Sequence, residues 1–322
     1  MNFTTYANGT TEGFCVVKTV EEKVNVKGVP YLDLTLSDSS GEINAKLWDY
    51  KASVHGTYEA GECIKVRGTV THYNGTEQFR IERIRPINES DNVDVASFVP
   101  SAEYSGEAMF SSLMSYVDSL KDAELQTITR AIMEENREKL LFWPAAFRLH
   151  HAIRGGLLYH TLSIVKLASA VCRLYPAVDR DLLLAGAILH DVSKIDEFDV
   201  SNLGIVKSYS VKGELLGHLV MGAVRIDQKA KELGISEKTA TLLEHMIISH
   251  HGDPEFGAAV RPMFLEAEIL SQLDTLDATV YEITNAVSAV EPQAFSARQW
   301  ALDNRKLFNH GRKPSVPKAN LE

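Results

Sequence analysis

His160, the adjacent pair His190-Asp191, His218, the adjacent pair His250-His251 and Asp274 all fall in the C-terminal half of this 322-residue chain. Every one is an imidazole or a carboxylate, and no cysteine stands among them. Imidazole suits Zn, Fe, Mn or Ni, while carboxylate pulls the preference towards Mn, Mg or Fe. The set is too large for one ion. With one carboxylate shared it can hold two divalent ions side by side, the arrangement that cleaves phosphodiesters by in-line displacement. Taken singly, a buried histidine is more often a hydrogen-bonded core residue, and Asp274 or Asp277 could be a charge on a helix surface. The ordered set, with a His-Asp and a His-His doublet at helix ends, points to a metal centre.

The apolar periodicity says what must position these groups. Helices are expected near 157–174, 181–191, 213–233, 237–250 and 262–289. His160 opens the first, after Gly155-Gly156-Leu157-Leu158-Tyr159. His190 and Asp191 close the second. Neighbours on a regular helix diverge by about 100°, but at a terminus both can turn to one ion. His218 sits one turn into the third, after Gly213 and Gly217, His250-His251-Gly252 ends the fourth where glycine is a natural stop, and Asp274 lies inside the fifth. Five helices each lending a donor to one centre is how bundles build metal sites. Ahead of them, Phe110, Leu113, Met114, Val117 and Leu120, then Leu125, Ile128, Ile132 and Met133, also recur at helical spacing.

The N-terminal part has period two instead. GFCVVKTV, YLDLTLSD, EINAKLWD, CIKVRGTVTHY and QFRIERIRPI predict five strands. Lys27-Gly28, Ser39-Ser40-Gly41, Glu59-Ala60-Gly61 and the hairpin signal Asn74-Gly75 separate them. This suits an OB-type barrel, with an SH3-like barrel as the rival. Alternation sends Leu32, Leu34, Leu36, Ile43, Ala45 and Leu47 one way, and Tyr31, Lys46 and Trp48 the other. An OB fold stacks single-strand bases on such aromatics beside basic groups. Tyr73, Phe79 and Arg80, near the hairpin, would extend that face. Covering the barrel end is the competing role for Trp48 and Tyr73.

Composition limits the rest. At 45% hydrophobic and 24% charged the chain should bury a core. Its net charge of −10 excludes binding nucleic acid by bulk charge, and up to residue 90 there are 10 Lys+Arg against 12 Asp+Glu. No continuous apolar run reaches the roughly 18 residues of a membrane span, and MNFTTYANGTTEG lacks the basic and apolar regions of a leader. Cys15, Cys63 and Cys172 read as isolated thiols of a reducing cytoplasm. The polar, acidic stretch 88–104 reads as a linker, and the basic tail from Arg305 as an extended arm.

The run His150-His151-Ala152-Ile153-Arg154 through His160-Thr161, the stretch LLLAGAILHDVSK, Gly217-His218, ISHHG, Asp274 and Ala301-Leu302-Asp303-Asn304-Arg305 resemble the HD-domain metal-dependent phosphohydrolases. Within these, the chain is similar to the YhaM-type 3′-5′ exoribonucleases. Ser193 departs from the pattern, which often has glycine there. The resemblance implies a multidomain α and β chain: a five-stranded OB-type nucleic-acid-binding barrel (1–90), a linker and helical connection (91–140), an all-α HD bundle (141–304) and a basic tail (305–322). It implies that His160, His190, Asp191 and Asp274 hold a first metal, and that Asp191 bridges to a second completed by His218, His250 and His251. Asp191 and Lys194 would be catalytic, Lys194 touching the scissile phosphate, with His151 and Arg154 binding phosphate at the mouth. The expected reaction is metal-activated attack of water on the terminal phosphodiester of single-stranded RNA, with single-stranded DNA as a second substrate. Mn²⁺ is the expected ion ahead of Fe²⁺, Co²⁺ or Zn²⁺, and a homo-oligomer is open. The alternatives are a phosphohydrolase of nucleotides or cyclic dinucleotides, and a non-catalytic nucleic-acid-binding protein with a structural metal.

Overall fold

The computed structural model describes residues 10–38, 41–73, 76–93, 99–147, 151–288, 290–313 and 319–321, except the side chains of 72, 73, 76 and 89. The turns expected at Ser39-Ser40 and Asn74-Gly75, the Tyr73 side chain and His150 lie outside the described residues. The chain forms two compact units: residues 1–101 with 199–208, and residues 102–198 with 209–322.

Unit 1 is built on strands β1 (Thr10–Val24), β2 (Pro30–Asp38), β3 (Gly41–Leu47), β4 (Cys63–Tyr73) and β5 (Thr76–Pro86), with the single-turn helix α1 (Ala52–His55) after β3. Asn25 starts the β1–β2 turn: its side-chain oxygen accepts from the amides of Lys27 and Val29 at 2.9 and 3.1 Å. The strand order β1-β2-β3-β5-β4 closes a barrel, with β3 and β5 parallel and the other pairs antiparallel. This is the OB-type barrel that the alternation predicts. Leu32, Leu34, Leu36, Ile43, Ala45 and Leu47 fill its core, each large apolar side chain adding roughly 1.5–3 kcal/mol by leaving water. Phe79 is in that core too, wholly buried, which corrects its expected place on the binding face. Cys15 opposes Ile64 and Cys63 opposes Val16. That one-residue offset sends the two thiols to opposite faces of the sheet, and all three cysteines are free. Leu203 and Ile205, in the loop between β6 (Phe198–Val200) and β7 (Val206–Tyr209), pack against Val16, Cys63 and Val99.

Unit 2 is helical: α2 (Gly106–Asp118), α3 (Ala123–Glu135), α4 (Arg137–Leu140), α5 (Gly156–Leu174), α6 (Arg180–Leu189), α7 (Lys194–Glu197), α8 (Val211–Leu233), α9 (Glu237–Ser249) and α10 (Leu265–Ser288). Ser105, Asp122, Asp179, Ser210 and Ser236 cap the first turns of α2, α3, α6, α8 and α9 with side-chain oxygens. The boundary between the units falls at 101/102. The helices expected as a connection are part of the bundle core, since Leu113, Ile128 and Ile132 are fully buried. Helix α5 is long and apolar enough to cross a membrane, which the absence of an unbroken apolar run does not anticipate. Its first ten residues, His160 among them, are buried inside unit 2. The tail does not run free along its whole length: Ala319 O accepts from the Tyr159 hydroxyl at 2.7 Å, and Leu321 is buried.

Candidate metal centre

Five segments converge at the ends and mid-points of these helices. Helix α5 starts where the 151–156 loop folds back on it so closely that a Cβ on Gly156 would lie 2.0 Å from His151 O. That contact sets His160 one turn into the bundle. His190 is the C-cap of α6 and Asp191 follows it. Helix α8 is kinked at Gly217, whose φ of 66° suits glycine. The kink lets the amide of His218, the next residue, donate to Glu197 Oε1 at 3.1 Å. His250 caps the C-terminal end of α9, with His251 beyond it, and α10 brings Asp274.

The ligand atoms meet around Asp191. Its Oδ2 lies 3.4 Å from His190 Nε2, 3.7 Å from His160 Nε2 and 2.7 Å from Lys194 Nζ. Its Oδ1 faces another pair, His218 Nε2 at 3.4 Å and His250 Nε2 at 3.7 Å. Asp274 Oδ1 is 3.1 Å from His160 Nε2, and His251 offers a ligand atom within 4.8 Å of those of His218 and His250. All seven expected ligands are therefore brought together, and Lys194 joins them.

The far nitrogen of each ring is already occupied. His160 Nδ1 meets Asp277 Oδ2 at 2.7 Å, and His218 Nδ1 meets Glu197 at 3.0 Å. The Nδ1 atoms of His190, His250 and His251 face the carbonyls of Ala187, Ile247 and Phe256 at 2.9, 2.7 and 3.0 Å. Each ring donates from Nδ1, which leaves Nε2 as the atom through which it could take a metal, as metal-ligating histidines do. Asp191 Oδ1, His218 Nε2 and His250 Nε2 are buried polar atoms without a hydrogen-bond partner. A native core tolerates few of these, and a cation between them removes all three. The donor set fits a divalent ion.

Electrostatics agree. Burial lowers the affinity of His218 and His250 for a proton, and burial together with His250 brings His251 down to about 4. Burial opposes ionisation of Asp191, but Lys194 and His190 outweigh it and hold the carboxyl well below the usual range. Burial opposes the charge on His160 too, yet Asp274 and Asp277 outweigh it and push the group up to about 10. A proton there stands where a metal would take the lone pair.

Several surrounding residues escape a reading of the sequence. Asp277 accepts from His151 Nε2 at 2.9 Å, from His160 and from the Ser163 hydroxyl. Its one available signal is the three-residue spacing from Asp274, which puts both on one helix face. Nothing in the sequence marks Glu197. Arg225 joins Ser193 Oγ at 3.1 Å and also Asp196, bracing the turn after the His-Asp pair. This gives the serine a partner at the departing position. His151, expected at the mouth, is buried against Asp277 instead, a correction. The Arg154 guanidinium lies 5.2 Å above the Phe142 ring.

On the barrel, the Tyr31 and Trp48 rings are 4.7 Å apart, with Lys46 Nζ 5.0 Å and 5.6 Å from their centres. Trp48 is 37% exposed, so both rings and the ammonium border one open surface. Arg80 faces outward beside Lys46, its Cα partner across β3 and β5.

Residues 157–279 match the HD domain family and residues 16–87 the OB-fold nucleic acid binding domain family. The chain is thus an HD-domain protein with an N-terminal OB fold. Over 295 residues it is 38% identical to the 3′-5′ exoribonuclease YhaM of Bacillus subtilis, covering 92% of this chain and 93% of that one. The YhaM of Listeria welshimeri is 36% identical over 300 residues, 93% and 95% of the two chains. The chain belongs to the YhaM 3′-5′ exoribonuclease family.

Proposed function

We propose that this chain is a metal-dependent 3′-5′ exoribonuclease that hydrolyses single-stranded RNA at the cluster around Asp191. One observation carries the reading. The two oxygens of Asp191 face two different histidine sets, with His160 and His190 on Oδ2 and His218 and His250 on Oδ1. A carboxylate so flanked can bridge two cations. His160, His190, Asp191 and Asp274 would hold one, and Asp191, His218, His250 and His251 the other. The His/Asp donors, without a thiolate, favour Mn²⁺ over a tight zinc site.

Bound there, divalent ions lower the pKa of water and neutralise charge developing on phosphoryl oxygens. The chain's own groups do the rest. Asp277 and Glu197 orient His160 and His218. Burial opposes the charge of Lys194, but Asp191 outweighs it and keeps the ammonium protonated. Its Nζ is thereby fixed beside the centre, ready to bind a non-bridging phosphate oxygen. Tyr31, Trp48 and Lys46 stack and steer the upstream bases. The direction of cleavage and the preference for RNA rest on the family, and three free thiols suit a reducing cytoplasm. The test is a 5′-labelled single-stranded RNA incubated with Mn²⁺ or with EDTA. A ladder shortening one nucleotide at a time with Mn²⁺, and intact RNA with EDTA, is expected. Mid-chain cuts, or cleavage that survives EDTA, would overturn the reading.

A further inference from the structure

The barrel carries a second basic surface, on β4 and β5. Lys65 opposes Arg85 and Arg67 opposes Arg83 across the strand pair. Like charges set opposite each other destabilise a sheet, so two such rungs in succession, in a chain of net charge −10, call for a counter-charge. Nearby acids supply part of it. Glu12 lies 2.7 Å from Lys65, Asp91 grips Arg85 at 2.6 and 2.7 Å, and Glu82 lies 3.9 Å from Arg67. Arg83 has no ion-pair partner among the described residues. The four cations line an open groove of about 410 Å³, which also takes in Val54 and His55 of α1.

This groove continues the Tyr31–Lys46–Trp48 surface. β5 lies between β3 and β4, and Arg80 is the neighbour of Lys46 on one side and Thr69 on the other. Lys46, Arg80, the Arg67–Arg83 rung and the Lys65–Arg85 rung therefore form one band along β5. From Arg80 to Arg85 it runs roughly 16 Å at a strand's rise per residue. Guanidinium forks match phosphate oxygens in pairs, so a row of three arginines and a lysine along one strand pair suits a phosphate backbone.

We propose that the β4–β5 groove is a backbone-phosphate track that extends the aromatic face and holds a longer stretch of single strand than that face alone. The proposal rests on the nucleic-acid reading above, and the experiment separates the two. The full chain with Asp191→Ala, which removes turnover, is titrated in Mn²⁺ with a 5′-fluorescent oligouridine 20-mer at several salt concentrations. Each phosphate contact on a single strand contributes about 0.7 to the log–log salt slope. Losing two through Arg67→Gln with Arg83→Gln should flatten the slope by about 1.4, so the variant's loss of affinity should shrink about seven-fold between 50 and 200 mM salt. Glu82→Gln, which frees Arg67, should tighten binding at low salt. Trp48→Ala should weaken binding with the slope unchanged. If the oligonucleotide fails to bind at any salt, both readings fall. If it binds and the double arginine variant keeps the parental slope, the track alone is overturned.

Discussion

Replacing Asp277 with asparagine isolates how the bundle prepares a histidine for metal. Oδ2 of Asp277 takes hydrogen bonds from His151 and His160 at 2.9 and 2.7 Å, and Oδ1 takes one from Ser163. Asp277→Asn keeps the size, removes the charge and turns one acceptor into a donor. If the new amide nitrogen took the Oδ2 position it would face two N–H donors. His160 would then have to move its proton to Nε2, blocking the ligand atom. At the Oδ1 position the amide meets a hydroxyl, which can rotate to accept. The second orientation wins, so His160 keeps its tautomer and loses only the carboxylate that strengthens its basicity. Removing such a supporting group costs about 10- to 100-fold in metal affinity, or about 1.4–2.7 kcal/mol. The retained tautomer puts this variant near the lower end. Isothermal titration with Mn²⁺ reads the loss, and circular dichroism checks the fold. Affinity within about two-fold of the parent, in a folded variant, would show that Asp277 merely packs.

Glu197→Gln should act alike on the other side of Asp191, lowering the Mn²⁺ stoichiometry while the His160 side still fills; an equal loss at both positions would refute independent support. His160 is pushed up to about 10 from 6.5, so the folded state binds that proton more tightly than the unfolded one. The metal-free protein should then be fully stabilised by it below about pH 6.5 and lose that stabilisation towards pH 10. Mn²⁺ must displace the same proton, so affinity should rise with pH between 7 and 9; titration in buffers of different ionisation enthalpy would show about one proton released, and a flat profile would contradict the assignment. Trp48→Ala should weaken long single strands roughly 5- to 100-fold yet spare a dinucleotide; equal losses on both would take Trp48 off the binding face.

How much of this is legible in the sequence depends on how rare the chemistry is. Histidines are scarce, and the doublets at 190–191 and 250–251 stand at helix ends that periodicity locates, so residue type and spacing alone reveal the cluster. Supporting acids are different. Glu197 and Asp277 look like any helix-surface carboxylate until the fold shows what faces them. Phe79 illustrates parity: it alternates with Arg80, and Ile81 returns to the core, so proximity to a turn is a poorer guide to its face than strand period. His151 illustrates the converse. Its φ of 56° turns it inward, and no local pattern announces a left-handed histidine. The apolar stripes of α2 and α3 mark them as helices but do not say which unit they complete.

The central claim is that Asp191 stands between two ion positions. Crystals grown with Mn²⁺ and measured at the manganese absorption edge test it most directly. Two anomalous peaks are predicted, both against Asp191, one beside His160, His190 and Asp274 and the other beside His218, His250 and His251. A single peak, or peaks away from Asp191, would contradict the account.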